Sequence, residues 1–299
     1  MTWADAHRLG AVQASRLLRD LDIDVQQRIP IFDIPQQLGV VLRIGPLPRL
    51  AGAYVAEPDT EPGILVNNRH PVARQRYTVA HEIGHHVLGH STSLDSETEL
   101  LADGRVPDHE RMAEAFAASL LMPRRTVHAQ IERLGSDVTT AGGVYQLSLA
   151  LGASYSATLR QLTNLRLIDQ PAATRLLKVT PATIKRAAMG EPRIGVGAAD
   201  VHVVTTPSVI EAAVGAGDLV IIGVEGSVTA VDVNGLGEHV DNVNHLDRTE
   251  VRVRVRTMRA QNPSTPPTHH DVTITTETAE TRVAVTVEPP RHGVPEVWF

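Results

Sequence analysis

Apolar positions recur along the chain at two spacings, and the change from one to the other marks its organisation. Between residues 4 and 21, Ala11, Val12, Leu17, Leu18 and Leu21 recur mostly at helical spacing among charged residues, which predicts a first amphipathic helix. A shorter helix fits Ile31–Leu38 and stops at Gly39. Three apolar runs follow, Val40–Ile44, Ala53–Ala56 and Ile64–Asn67, separated by Gly and Pro turn signals, and they read as a small sheet. An exposed edge of such a sheet can pair with an extended peptide; a purely structural sheet fits the same runs.

Pro71 suits the first position of a helix in which Val72, Val79, Ile83 and Val87 line one side, with Gly89 as its stop. A polar, acidic loop over Ser91–Pro107 leads to a further helix from Asp108, whose Ala113, Phe116, Ala117, Leu120 and Leu121 form one stripe. Residues 144–168 then read as an apolar helix, a turn at Gly152 and a Ser/Thr-rich second helix, a helix-turn-helix-like pattern. From about Gly190 the period shortens. Val201–Thr205, Asp218–Val224, Ser227–Val233, Glu250–Thr257, Asp271–Thr276 and Arg282–Val287 are rich in β-branched residues. Val251–Arg256 alternates Val with Arg, predicting a half-buried strand with a basic outer face, and the proline-rich stretch Arg259–His270 predicts a loop. The expected division is residues 1–135, a helical segment 136–189, and a β-rich domain 190–299.

The chemistry concentrates at His81-Glu82-Ile83-Gly84-His85. At about 100° per residue two histidines four apart lie roughly 40° apart on one helix face, so both imidazoles can converge on one metal ion. The intervening glutamate is then placed to take a proton from water at that ion. Gly84 leaves room beside the histidines for a second helix or a substrate. A catalytic zinc site takes three protein ligands and keeps one position open. His90 lies nine residues after His81, about half a turn from the ligand face if the helix continues, and His86 is about 100° from His85. Both read as surface or supporting groups. On the second helix Glu110 falls about 60° from Ala113, within the apolar face. A carboxylate there wants a cationic partner, which makes Glu110 the third-ligand candidate and Glu114 the fallback. Asp95, Glu97, Glu99 and Asp103 read as a solvated loop, His109 as a core-side or supporting group, and His269-His270 as a weak metal signal. Tyr54 and Tyr77 are the nearby tyrosines that bear on oxyanion stabilisation.

Composition narrows this chemistry. The 299 residues hold no cysteine, so disulfides, a thiol nucleophile and thiolate ligands are excluded, and metal ligands must be His, Asp or Glu. The net charge of −6 argues against a surface built throughout for nucleic acid. Locally, residues 141–190 carry Arg160, Arg166, Arg175, Lys178, Lys185 and Arg186 against Asp169 alone, so DNA contact through residues 144–186 stays open. The charged N-terminus lacks a signal-peptide core and no apolar run reaches membrane-spanning length, which predicts a soluble cytoplasmic protein with no membrane partner.

Arg76-Tyr77-Thr78-Val79-Ala80-His81-Glu82-Ile83-Gly84-His85 is followed some twenty-five residues later by Glu110-x-x-Ala113-x-x-Phe116-Ala117-x-x-Leu120-Leu121-Met122-Pro123. Together these motifs resemble the ImmA/IrrE family of metallopeptidases over about residues 10–165. The resemblance implies an α+β fold with a zincin-like N-terminal metallopeptidase domain, a metal (zinc, with manganese possible for a carboxylate-containing set) held by His81, His85 and Glu110, and Glu82 as general base. It implies cleavage of a protein substrate, a helix-turn-helix transcriptional repressor, to derepress stress or mobile-element genes. Glu114 departs from the family, which has asparagine there. Two rival readings stand beside this one: a DNA-binding transcriptional regulator whose metal site is structural or sensory, and a protease-derived binding module without turnover.

Overall fold

A computed structural model describes residues 2–96, 106–189, 199–204, 212–214, 217–244, 249–255 and 268–287. The fold class is α+β. The chain divides into two compact units, one formed by residues 1–130 with 151–169, the other by 131–150 with 170–290. The helical segment 136–189 is therefore shared between them. Among the described residues no helix is long and apolar enough to cross a membrane.

The first unit opens with α1 (Trp3–Asp20), started by Thr2, whose hydroxyl accepts from the Asp5 N–H, a regular N-cap. The second expected helix shrinks to the single turn α2 (Ile34–Gln37). Before it, Ile29 and Ile31 are fully buried, with Ile31 opening a turn, and Pro35 cannot donate to a preceding turn. The three apolar runs form β1 (Val41–Gly45), β2 (Leu50–Val55) and β3 (Gly63–Asn67). Part of the expected acidic loop is also a strand, β4 (Ser93–Ser96), because its backbone pairs with β2. The sheet runs β1-β3-β2-β4, with β1 parallel to β3 and the other pairs antiparallel, so β1 and β4 are its edges. Glu97, Glu99 and Asp103 lie outside the described residues.

Helix α3 (Val72–Val87) packs on β2 and β3, and α4 (Asp108–Leu121) packs between α1 and α3. Glycines set both helix crossings. A Cβ on Gly10 would stand 2.7 Å from the Phe116 nitrogen and 2.8 Å from the Ala115 carbonyl carbon, and one on Gly84 would stand 3.2 Å from the Ala113 Cα. Backbones at this separation bury Phe116 completely between them, and Phe is among the largest apolar contributions a core can receive. Arg76 ties the same unit together by donating to the Ile29 carbonyl at 2.8 Å and the Gly152 carbonyl at 3.1 Å. Helix α5 (Arg124–Leu134) follows Pro123, and α7 (Tyr155–Asn164) is capped by Ser154, whose hydroxyl accepts from the Ala157 N–H. Gln161 of α7 donates to the Met122 carbonyl at 2.9 Å.

The second unit holds α6 (Ala141–Leu151), α8 (Gln170–Leu176) and α9 (Pro181–Met189) with two four-stranded sheets. One sheet orders β5 (Val201–Val204), β7 (Leu219–Val224), β10 (Thr249–Val255) and β9 (Gly237–Asn244); the other orders β6 (Ala212–Val214), β12 (Glu280–Val287), β11 (Thr268–Thr276) and β8 (Val228–Asp232). Val220, Ile222, Val251 and Val253 of the first sheet share one apolar core with Val272, Ile274, Val283 and Val285 of the second, so the two sheets pack face to face. The reverse face of β7 offers Leu219 and Ile221 to Met189 of α9. The expected basic outer face of β10 is overturned at Arg252. That side chain lies on the covered face, opposite Ile221, and donates to the Met189 carbonyl at 2.8 Å. Arg254 is exposed and Arg256 lies outside the described residues. Of the expected Arg259–His270 loop, Thr268–His270 begin β11 by pairing with β12, and 259–267 lie outside the described residues. His269 and His270 are not brought into a metal-ligating group among the described residues.

Candidate metal centre

From Gln75 to His85, α3 is buried at every position except Tyr77. The sequence pattern predicts one covered side; here the sheet covers one side and α4 the other, so the imidazole face is also taken out of water. His81 is 4% exposed, His85 and Glu82 are fully buried. Helix α4 begins after Pro107, and Arg111 steadies its first turn by pairing with Asp108 at 3.2 Å, donating to the Val106 carbonyl at 2.6 Å and lying over the Trp3 ring. Gly84 lets that helix lie against α3 one turn after Glu110, which brings the Glu110 carboxylate onto the two histidines.

Three ligand atoms converge as a result. His81 Nε2 and His85 Nε2 are 3.0 Å apart, Glu110 Oε2 is 3.1 Å from His81 Nε2, and Glu110 Oε1 is 3.5 Å from His85 Nε2. Among the described residues this is the group of His and carboxylate side chains whose atoms can share one ion. For metal–ligand bonds of about 2.0–2.2 Å, the edges of a tetrahedron are roughly 3.3–3.6 Å, so two imidazole nitrogens with a carboxylate oxygen near each of them are compatible with one shared ion. Two imidazole nitrogens this close, both buried, need a proton or a cation between them, and a divalent cation answers all three side chains at once. Burial pushes the Glu110 carboxyl up, but hydrogen bonds and charge from His81 and then His85 overcome it and hold the group well below the usual carboxylate range. The carboxylate is therefore ionised, as a ligand must be.

The other sequence candidates sort around this set. Glu114 is not part of it. His109 departs from the core-side expectation: its side chain is 54% exposed, with Nε2 3.3 Å from Glu110 Oε1. His86 meets the buried Tyr54 hydroxyl through Nδ1 at 2.9 Å, a brace between α3 and β2; burial raises the Tyr54 pKa and lowers that of His86. Tyr77 stacks on His81 with ring centroids 6.5 Å apart. His90 is not on the helix at all. The chain reverses at Gly89, whose φ is +70°, and His90 Nδ1 comes to 3.0 Å from His85 Nδ1.

Sequence reasoning missed Gly52. A Cβ at this position of β2 would stand 2.2 Å from Thr78 Cγ2 and 2.9 Å from Glu82 Oε1. The bare backbone of β2 thus forms the wall against which the Glu82 carboxylate rests. A glycine inside a strand run is the available signal, since it marks close backbone approach.

Residues 35–163, which contain every residue of this centre, match the family model described as IrrE N-terminal-like domain. Over 127 residues the chain is 32% identical to the radiation response metalloprotease IrrE of Deinococcus radiodurans, a match that covers 42% of this chain and 37% of that relative. The chain thus spans little more than a third of the curated relative, and most of the second unit lies outside residues 35–163. Residues 35–163, with their paired histidines on one helix and carboxylate on the next, thus resemble the IrrE N-terminal-like domain.

Proposed function

We propose that the protein is a zinc-dependent endopeptidase acting on a protein substrate, a helix-turn-helix transcriptional repressor whose cleavage derepresses stress or mobile-element genes. The observation that carries the peptidase reading is the convergence of His81 Nε2, His85 Nε2 and a Glu110 oxygen at 3.0–3.5 Å on a buried helix face. A divalent ion held there would supply Lewis-acid chemistry, polarising a scissile carbonyl and making water nucleophilic near neutral pH. His81, His85 and Glu110 are the ligands in this reading. Zinc is favoured by the two imidazoles, and the carboxylate also admits manganese.

Glu82 is the general base. Its carboxylate rests against the backbone of β2 and stands between the two histidines in sequence; in this role it accepts a proton from the attacking water and returns it to the departing amine. No covalent enzyme intermediate is required. Residues 1–135 supply this machinery, 136–189 a helix-turn-helix-like extension, and 190–299 a β-rich domain suited to substrate recognition, regulation or association. The repressor substrate rests on family resemblance and the stress role on the radiation-response relative.

The test compares protein termini in cells expressing the wild type or Glu82→Gln. New termini within one transcription factor, present with wild type alone, support the reading and name the substrate; identical termini in both overturn it. A second reading, a DNA-binding regulator, has one observation in its favour. Residues 170–189 contain no acid, and Arg175, Lys178 and Arg186 are exposed. Such a protein would act alike in wild type and Glu82→Gln.

A further inference from the structure

The helix that carries the paired histidines ends in a stop motif that uses one of those histidines. The N–H of His90 donates to the His85 carbonyl at 2.9 Å and the N–H of Gly89 donates to the His86 carbonyl at 3.2 Å, with Gly89 at φ +70°. That is the Schellman arrangement, in which the residue after the left-handed glycine is folded back over the helix residue five positions earlier. The two side chains so apposed are commonly apolar. Here they are imidazoles, His85 Nδ1 and His90 Nδ1 standing 3.0 Å apart with ring centroids at 5.0 Å.

The consequence concerns which nitrogen of His85 carries the proton. Its Nε2 faces His81 and Glu110, and its Nδ1 faces His90. To offer a lone pair from Nε2, a neutral imidazole must hold its proton on Nδ1. That proton then points at His90 Nδ1, which must accept it and keep its own proton on Nε2. A partner at the far nitrogen of a ligating histidine sets both tautomer and ring direction. We propose that His90 is a positioning residue, holding His85 in the Nδ1–H tautomer with Nε2 directed at the metal, and that the Gly89 stop exists to deliver it. His90 is not a fourth ligand, because it meets the nitrogen that points away from the other two. The inference rests on the metal-site reading of the previous subsection and does not require that the protein hydrolyse anything.

Two substitutions separate the hydrogen bond from packing. His90→Phe keeps a ring of similar size on His85 and removes the acceptor. His90→Asn keeps an acceptor oxygen at about the distance of Nδ1. Zinc affinity, read by competition with a chromogenic chelator, should fall by about 10- to 100-fold in His90→Phe and by no more than about threefold in His90→Asn. Nitrogen-15 NMR of the metal-free protein should place the His85 proton on Nδ1 in the wild type and His90→Asn, and return it largely to Nε2 in His90→Phe. Unchanged zinc affinity in His90→Phe, or an equal fall in both variants, overturns the proposal, as does a wild-type His85 protonated on Nε2. The NMR arm reads the metal-free protein, so a wild type that binds no zinc would overturn the metal reading while leaving the tautomer result to decide the role of His90.

Discussion

Replacing Gly52 by alanine probes the wall behind Glu82, and the structure sets the size of the effect. The added Cβ would meet Thr78 Cγ2 at 2.2 Å, Glu82 Oε1 at 2.9 Å and the Leu65 carbonyl oxygen at 3.0 Å. Carbon atoms in good contact stand about 3.5–4.0 Å apart, so the overlap with Thr78 exceeds 1 Å. Thr78 is 4% exposed and, being β-branched, has few rotamers within a helix; β2 must therefore shift from α3 or Thr78 must turn. Overpacking of this kind costs about 1–3 kcal/mol, against about 0.4–1 kcal/mol gained by removing a glycine from the unfolded chain. The net loss is about 1–2 kcal/mol, which urea denaturation resolves. Gly63→Ala on the adjoining strand is the control, because its Cβ would lie 3.7 Å from the Val41 carbonyl oxygen, an ordinary contact; its stability should stay within about 0.5 kcal/mol of wild type. Adding Thr78→Ser to Gly52→Ala removes Cγ2 and should recover much of the loss. With peptide substrate, Gly52→Ala should lower kcat by on the order of tenfold or more, part of the 10²- to 10⁴-fold that a general base contributes, while zinc affinity holds. Equal stability and equal kcat in Gly52→Ala and Gly63→Ala would refute the packing of β2 on Glu82.

Three further outcomes follow from the same geometry. Glu110→Ala should weaken zinc binding by at least an order of magnitude in chelator competition, whereas Glu114→Ala should leave it within about threefold, the outcome that separates the two carboxylates. Phe116→Ala empties a fully buried site between α1, α3 and α4 and should cost about 3–5 kcal/mol by urea denaturation; a loss under 1 kcal/mol would mean the helices do not pack there. Zinc at about 1,000 times its dissociation constant should stabilise the protein by about 4 kcal/mol and a chelator should reverse this in calorimetry, whereas a thermal midpoint indifferent to both would speak against a folded-state site.

Much of the centre was legible in the sequence because it rests on local periodicity. His81 and His85 share a face through helix geometry alone, and Glu110 stood out as a carboxylate on an apolar stripe. Those inferences needed only the 3.6-residue turn. What escaped depended on contacts between elements distant in sequence. Gly52 matters through Thr78 and Glu82, and a glycine in a strand signals close backbone approach without naming those partners. His90 falls half a turn from the ligand face on a continued helix, but the chain stops at Gly89 and folds His90 back onto His85. Arg252 fits an alternating strand with a wet outer face, yet α9 covers that face and takes its guanidinium. The turn before α2 was likewise set by tertiary burial of Ile29 and Ile31, against a helical pattern.

Zinc K-edge X-ray absorption on the metal-loaded protein, wild type beside Glu110→Ala, tests the coordination set most directly. The geometry predicts two imidazole nitrogens at about 2.0–2.1 Å with oxygen ligands completing four-coordination, and a change confined to the oxygen shell in Glu110→Ala. A wild-type spectrum with one imidazole or three, or one unmoved by loss of Glu110, would contradict a site built from His81, His85 and Glu110.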